Sequence, residues 1–122
     1  MKLFQTSLLI IVFSIIACGV QAQRGNIWCF GDSAALNFGG GAPVPSSSSV
    51  VSRGSCVSIA DTNGDLLFYG NTRSQASGPK TGLIWNRNHN LLLNGDSIAG
   101  GGWYQEMVII PIPADDSSYY LF

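Results

Sequence analysis

Charged side chains are scarce in this sequence of 122 residues, because Asp, Glu, Lys and Arg together make up only 11 % of it. Six basic residues face seven acidic ones, the net charge is −1, and the basic residues form no cluster. A protein that binds nucleic acid carries a basic patch on its surface, so the composition argues against that function. The one histidine, His89, has no second histidine or cysteine beside it. Without such partners it is predicted to be a solvated turn residue rather than a metal ligand or a catalytic base.

Helical periodicity is also absent from residues 23–122. Short apolar runs recur instead, each followed by turn residues, as in CVSIA before DTNG and VIIPIP before ADDSS. This pattern predicts antiparallel hairpins and an all-β fold. A propeller blade takes roughly 40–50 residues, and a propeller closes with at least four blades. The sequence therefore predicts about two propeller-like blades in residues 23–122, as an incomplete N-terminal part of a larger β-propeller.

A long apolar run occurs only near the N-terminus. Lys2 precedes residues 8–16, which are almost wholly apolar, and small residues follow. This layout predicts a secretory signal peptide over residues 1–22, with the export machinery as a partner. The run is shorter than the roughly 20 residues of a spanning helix, so no transmembrane span is expected in the mature domain, residues 23–122. The sequence IIAC also fits a lipobox, and an outer-surface lipoprotein acylated at Cys18 is the alternative.

Two further cysteines, Cys29 and Cys56, remain after residue 22. An oxidising compartment allows them to pair as a disulfide. Alternatively, they are two buried thiols on neighbouring strands, because free cysteine is among the most buried residue types. Sequence spacing does not establish pairing, and both interpretations stay open.

The segment DTNGD resembles a calcium loop, because Asp61, Asn63 and Asp65 place oxygen atoms at alternate positions around Gly64. An EF-hand loop needs Gly at its sixth position and Glu at its twelfth, and counting from Asp61 neither residue is present. Asp61 and Gly64 instead occupy the first and fourth positions of a type I turn, with Gly64 in the left-handed region of a hairpin loop. Asp61, Asn63 and Gly64 are therefore predicted to form a structural turn without a metal.

The segment CFGDSAAL resembles the first motif block of GDSL-type esterases, with Ser33 as the nucleophile. Such an enzyme needs a histidine base oriented by a carboxylate, but the residue three positions before His89 is Asn86. Its fold also needs crossover helices between parallel strands. The following GGGAPVPSSSS cannot supply one, and it is the only stretch whose composition suggests disorder. A turn at Gly31 and Asp32, capped by Ser33, is the simpler interpretation, and a serine esterase is the alternative function.

Aromatic residues are the better indication of function. Most of them lie in predicted strands and are assigned to the core. Trp103 and Tyr104 follow a glycine run in a predicted loop, where an exposed pair could stack on a sugar ring or contact a partner protein. Burial statistics favour the alternative, in which the pair packs in the core or anchors the loop.

Four segments in order resemble one protein family: NIWCFGDSAALNF, GSCVSIADTNGDLLFYG, IWNRNHNLLLNG and YQEMVIIPIPADDSSYYLF. They are similar to the N-terminal β-propeller-like region of large secreted bacterial surface proteins of the PKD-domain and gliding-motility-associated C-terminal-domain type. The resemblance implies export by the type IX secretion route and adhesion or surface binding, with no catalytic residue and no cofactor. Cys29 and Arg53 depart from the family, which has an aromatic and an acidic residue there. We therefore expect an exported, non-enzymatic scaffold or binding module for proteins or glycans at the cell surface.

Overall fold

The computed structural model describes residues 23–52, 54–73, 80–115 and 117–122. Its elements are a 3-10 turn at Gln23–Gly25 and nine strands: β1 Ile27–Phe30, β2 Asp32–Asn37, β3 Val44–Val51, β4 Cys56–Ala60, β5 Leu66–Asn71, β6 Lys80–Asn86, β7 Ile98–Ala99, β8 Ile109–Pro111 and β9 Tyr119–Leu121. All ladders between these strands are antiparallel, which confirms the all-β prediction. The predicted signal peptide, Cys18 and Arg53 lie outside the described residues. Within the described ranges, no helix has the length and apolar character needed to cross a membrane.

The strands form three sheets in which sequence neighbours are also neighbours in space: β1-β2-β3, β4-β5-β6-β7 and β8-β9. One strand was not expected, since the Ser-rich stretch whose composition suggests disorder forms most of β3, Val44–Val51. Residues 44–47 of this strand are exposed, but Val50 is fully buried at its other end. The Ser48 hydroxyl donates to the Ala34 carbonyl oxygen over 3.0 Å. Burial of Val50 and pairing with β2 therefore stabilise a strand that composition alone disfavours.

The four-stranded sheet is covered on both of its faces. Alternate side chains of a strand point to opposite faces, and Tyr69 and Trp85, which are cross-strand partners, point towards the first sheet. There they join a buried cluster with Cys29, Ala35 and Val50. On the opposite face, Phe68 contacts Tyr119 of the β8-β9 hairpin edge-on, with ring centroids 5.4 Å apart. The four-stranded meander is the kind of unit from which propeller blades are built, while the number of blades stays a prediction.

Tyr69 is the largest fully buried side chain among the described residues. Its ring stacks on Trp85 at 5.4 Å. Its hydroxyl accepts a hydrogen bond from the Ser49 N–H over 2.9 Å and lies 2.8 Å from Nδ1 of His89. Because a buried hydroxyl without partners would be costly, these bonds explain how a tyrosine occupies the centre of the core.

The first and second sheets meet where β1 lies beside β4. Each of these strands pairs with one neighbour, β2 and β5 respectively, and among the described residues no backbone ladder joins β1 to β4. A side chain connects them instead. The Ser58 hydroxyl donates to the Ile27 carbonyl oxygen over 2.7 Å and accepts the Cys29 N–H over 3.2 Å. One serine therefore satisfies backbone groups on an otherwise open strand edge.

Candidate ligand-binding loop and groove

The segment from Gly101 to Glu106 folds back on itself around a carboxylate. Glu106 accepts hydrogen bonds from three successive backbone N–H groups, those of Gly101, Gly102 at 2.8 Å and Trp103 at 3.2 Å. Convergent backbone N–H groups of this kind form an anion-binding nest. The nest lowers the pKa of Glu106, chiefly through the Gly101 N–H. The Glu106 carboxylate therefore occupies the nest, and its hydrogen bonds order the segment from Gly101 to Glu106, which we call the Glu106 loop.

The Glu106 loop is also attached to the start of β4. The Ser55 hydroxyl oxygen accepts the N–H groups of Glu106 at 3.2 Å and Met107 at 3.3 Å. Gly54 packs closely on Gly102, since a Cβ added to Gly54 would lie 2.8 Å from the Gly102 Cα. Only glycine allows this approach, so both glycines contribute to holding the loop against the sheet.

Trp103 and Tyr104 project from the tip of the Glu106 loop. Trp103 is 75 % exposed and Tyr104 is 96 % exposed, so neither packs in the core. The Trp103 indole does pack on its own loop, since a Cβ added to Gly101 would lie 2.7 Å from it. Large aromatic side chains normally bury most of their surface. A loop that is already ordered presents them at a lower entropic cost than a flexible loop would. Two exposed aromatic rings on an ordered loop are suited to binding a ligand.

An open groove of about 950 Å³ runs beside the Glu106 loop. Its walls include these six residues: Phe30, Ser52, Ser55, Tyr104, Gln105 and Met107. None of the described residues that line the groove carries a charge. Ligand sites are mostly apolar with a few polar groups that set orientation, and the groove has this character.

Ser33, the candidate nucleophile, lies in an irregular part of β2. It is exposed and has a φ of +57°, and the pairing register with β3 shifts between Asp32 and Ala34. Gly31 forms the turn just before it, with a φ of +60°. In the described part of the chain no hydrogen bond joins Ser33 to His89, whose Nδ1 contacts the Tyr69 hydroxyl. The structure therefore does not assemble a nucleophile and base from these two residues.

The Asp61 carboxylate is engaged by the backbone of its own turn. Its Oδ1 accepts the N–H groups of Asn63 at 2.8 Å and Asp65 at 3.0 Å. The Gly64 N–H donates to the Asp61 carbonyl oxygen over 3.1 Å, and Gly64 has a φ of +90°, in the left-handed region that the hairpin interpretation requires. These bonds lower the pKa of Asp61, with the Asp65 N–H as the largest cause. Across the described residues, His, Cys, Asp and Glu side chains form no group of three or more suited to a metal ion.

Cys29 and Cys56 are free thiols in the structure. Cys29 is 4 % exposed and belongs to the core cluster, against which the half-buried Cys56 also packs. Burial raises the pKa of the Cys29 thiol to about 11, and the neighbouring Cys56 adds a smaller increase. Both thiols therefore pack at the junction of β1 and β4, and the pairing of Cys29 with Cys56 stays a prediction.

Glu106 and Ser55 are the residues of this site that the sequence analysis missed. The available signal was the glycine run 100–102 followed by an acidic residue, because consecutive glycines readily form the turns in which N–H groups converge. No such signal exists for Ser55, since its role depends on a contact with residues 51 and 52 positions further along the chain.

No protein-family model, curated protein or solved structure matches this chain. The geometry of the described residues is therefore the basis on which a function is proposed.

Proposed function

We propose that this chain is an exported, non-enzymatic binding module whose Glu106 loop and groove hold uncharged sugar units of a surface glycan. The observation that carries the proposal is the exposure of Trp103 and Tyr104 on a loop that Glu106 braces. Tyrosine and tryptophan combine an apolar ring with a polar group, which suits both the C–H face and the hydroxyl groups of a sugar. The resemblance to secreted surface proteins supports the same reading.

The part of the groove lining that the structure describes, which leaves out Arg53 between Ser52 and Gly54, suits a neutral ligand. Its described lining contains no Lys, Arg, Asp or Glu side chain, and the one carboxylate nearby, Glu106, is occupied by backbone N–H groups. Gln105 offers an amide donor and acceptor at the rim. A volume of about 950 Å³ is within the range of roughly 300–1,000 Å³ found for small-ligand sites, and the groove is open enough to admit a chain of sugar units.

A propeller-like arrangement remains part of the proposal. The four-stranded sheet is already covered by β-structure on both faces. The outer face of the β8-β9 hairpin carries Ile110 and Tyr120, cross-strand partners that are 45 % and 51 % exposed. A further sheet stacked on that face would bury them, as successive blades do in a propeller.

The serine esterase alternative has one observation in its favour, because Ser33 is exposed in a left-handed conformation and such strain is concentrated at functional sites. The antiparallel ladders around it do not provide the parallel strands and crossover helices of that fold. The binding function is therefore the one we propose.

Binding to a panel of soluble neutral polysaccharides, measured by affinity electrophoresis, tests the proposal. Trp103→Ala and Tyr104→Ala should each weaken binding about tenfold or more, as expected for a contact worth roughly 1.4 kcal/mol or more. Leu93→Ala is the matched control, since Leu93 is 93 % exposed but belongs neither to the Glu106 loop nor to the lining of the groove. Equal losses in all three variants, or binding to a protein ligand alone, would contradict the glycan proposal.

A further inference from the structure

The strands β1 and β4 carry the two free thiols at their junction. Cys29 lies on β1 and Cys56 on β4, and both line one cleft of about 360 Å³. The Cys29 N–H donates to the Ser58 hydroxyl oxygen over 3.2 Å, and Ser58 is two positions after Cys56. Because alternate residues of a strand share a face, Cys56 and Ser58 point the same way, towards β1.

We propose that Cys29 and Cys56 form a closable disulfide that staples the first sheet to the second. A disulfide there would add a covalent link to the junction of β1 and β4, which Ser58 rather than a backbone ladder connects within the described residues. The proposal does not depend on glycan binding, because it is argued from the cleft that Cys29 and Cys56 line together, although Cys56 also lines the groove.

Closure proceeds by thiol–disulfide exchange with a small disulfide such as oxidised glutathione. The Cys56 thiolate attacks one sulfur of glutathione disulfide, which forms a mixed disulfide and releases one glutathione thiolate. The Cys29 thiolate then attacks the Cys56 sulfur and releases the second glutathione. The two cysteines lose two electrons, the glutathione disulfide gains them, and the two thiol protons end on the two glutathiones.

The order of the two attacks follows from exposure. Cys56 is half-buried and its thiol contacts the Gly54 carbonyl oxygen at 3.7 Å, near the groove, whereas Cys29 is 4 % exposed. A bulky disulfide therefore reaches Cys56 first. Burial also leaves little Cys29 thiolate at neutral pH, since the pKa of that thiol is raised to about 11. The second step should therefore accelerate as the pH is raised.

The full chain carrying Cys18→Ser tests the proposal, because Cys29 and Cys56 are then its only thiols. After incubation of the native protein with oxidised glutathione, both thiols should disappear and the mass should fall by two hydrogen atoms. Peptide mapping should recover a peptide pair linked through residues 29 and 56. The melting midpoint should rise by about 15 °C, as for a disulfide that closes a loop of this size in a domain of about 100 residues.

Cys56→Ser in the same background is the control variant. It should retain its buried thiol, form no internal cross-link and melt at the midpoint of the reduced parent or below it. A glutathione adduct that persists on Cys56 while Cys29 stays free would overturn the proposal, as would dimers linked through Cys56. The thiol loss, mass change, peptide map and melting midpoint are measured on the Cys18→Ser chain, so they test the proposal even if the Cys56→Ser variant does not fold.

Discussion

The Asp61 turn and the Glu106 loop are both shaped by a carboxylate within the segment, and they differ in the side chains at their tips. In each, one carboxylate accepts backbone N–H groups from its own segment, two for Asp61 and three for Glu106. The Asp61 turn joins β4 to β5 and has Thr62 and Asn63 at its tip. The Glu106 loop instead raises two exposed aromatic rings beside a groove. The carboxylate sets the shape of a loop, and the residues at the tip decide whether that shape can hold a ligand.

The difference between the two loops also lies in their neighbours. Gly64 lies against Gln23 and Asn26, whose side-chain atoms are both 2.7 Å from the position of an added Cβ. The Asp61 turn thus packs through Gly64 on the segment that precedes β1, while Thr62 and Asn63 at its tip are exposed. The Glu106 loop is held from below by Ser55 and leaves its tip open. The Asp61 turn packs on another segment of the fold, whereas the tip of the Glu106 loop is left free for the binding that we propose.

Exchanging the two carboxylates for alanine gives the sharpest test of this comparison. Glu106→Ala should reduce glycan affinity about tenfold, because the aromatic pair must then be ordered on binding, while the melting midpoint changes little. Asp61→Ala should lower the melting midpoint and leave the affinity unchanged. Calorimetric titration and thermal unfolding of the two variants measure both quantities, and Glu106→Gln shows how much of the effect requires the charge. If both variants lose affinity equally, the division of roles is wrong.

A smaller effect is expected from Gly64→Ala, at about 1 kcal/mol or more of lost stability. Gly64 has a φ of +90°, which alanine adopts only with strain, and the new Cβ would press on Gln23 and Asn26. Gly40→Ala is the matched control. Gly40 has no left-handed φ and no atom within 4 Å of an added Cβ, so alanine there should leave stability unchanged or raise it slightly. Denaturant unfolding of the two variants would contradict the interpretation if their midpoints moved together.

The sequence was sufficient for features that depend on neighbouring residues. The Asp61–Gly64 spacing predicted a turn, and the apolar runs around Tyr69 and Trp85 predicted paired strands. The sequence was not sufficient where contacts between residues far apart along the chain determine the structure. β3 forms from a Ser-rich stretch because Val50 is buried.

The candidate site shows the same limit. Its aromatic pair was identified, but its exposure was not, because that depends on Glu106 and on Ser55, which lies far away along the chain. The meeting of β1 and β4 likewise depends on Ser58, 29 positions from the Cys29 N–H to which it bonds. Local patterns carry no information about such pairs.

The smallest expected effect concerns calcium, to which the Asp61 turn bears a superficial likeness. Both N–H groups that bond the Asp61 side chain point at one oxygen, Oδ1, so a cation bound to that oxygen would compete with the turn's own hydrogen bonds. An ion that binds only the native state stabilises it by RT ln(1 + [L]/Kd), about 2.7 kcal/mol at a hundredfold excess over Kd. Extracellular modules bind calcium with Kd values of roughly 10⁻⁴–10⁻³ M, so titration to about 10 mM would reveal a site of that class as a higher melting midpoint. We expect no rise beyond the one that magnesium produces. A calcium-specific rise that is lost in both Asp61→Ala and Asp65→Ala would make this turn a ligand site, and the contrast with the Glu106 loop would then fail, because both loops would bind.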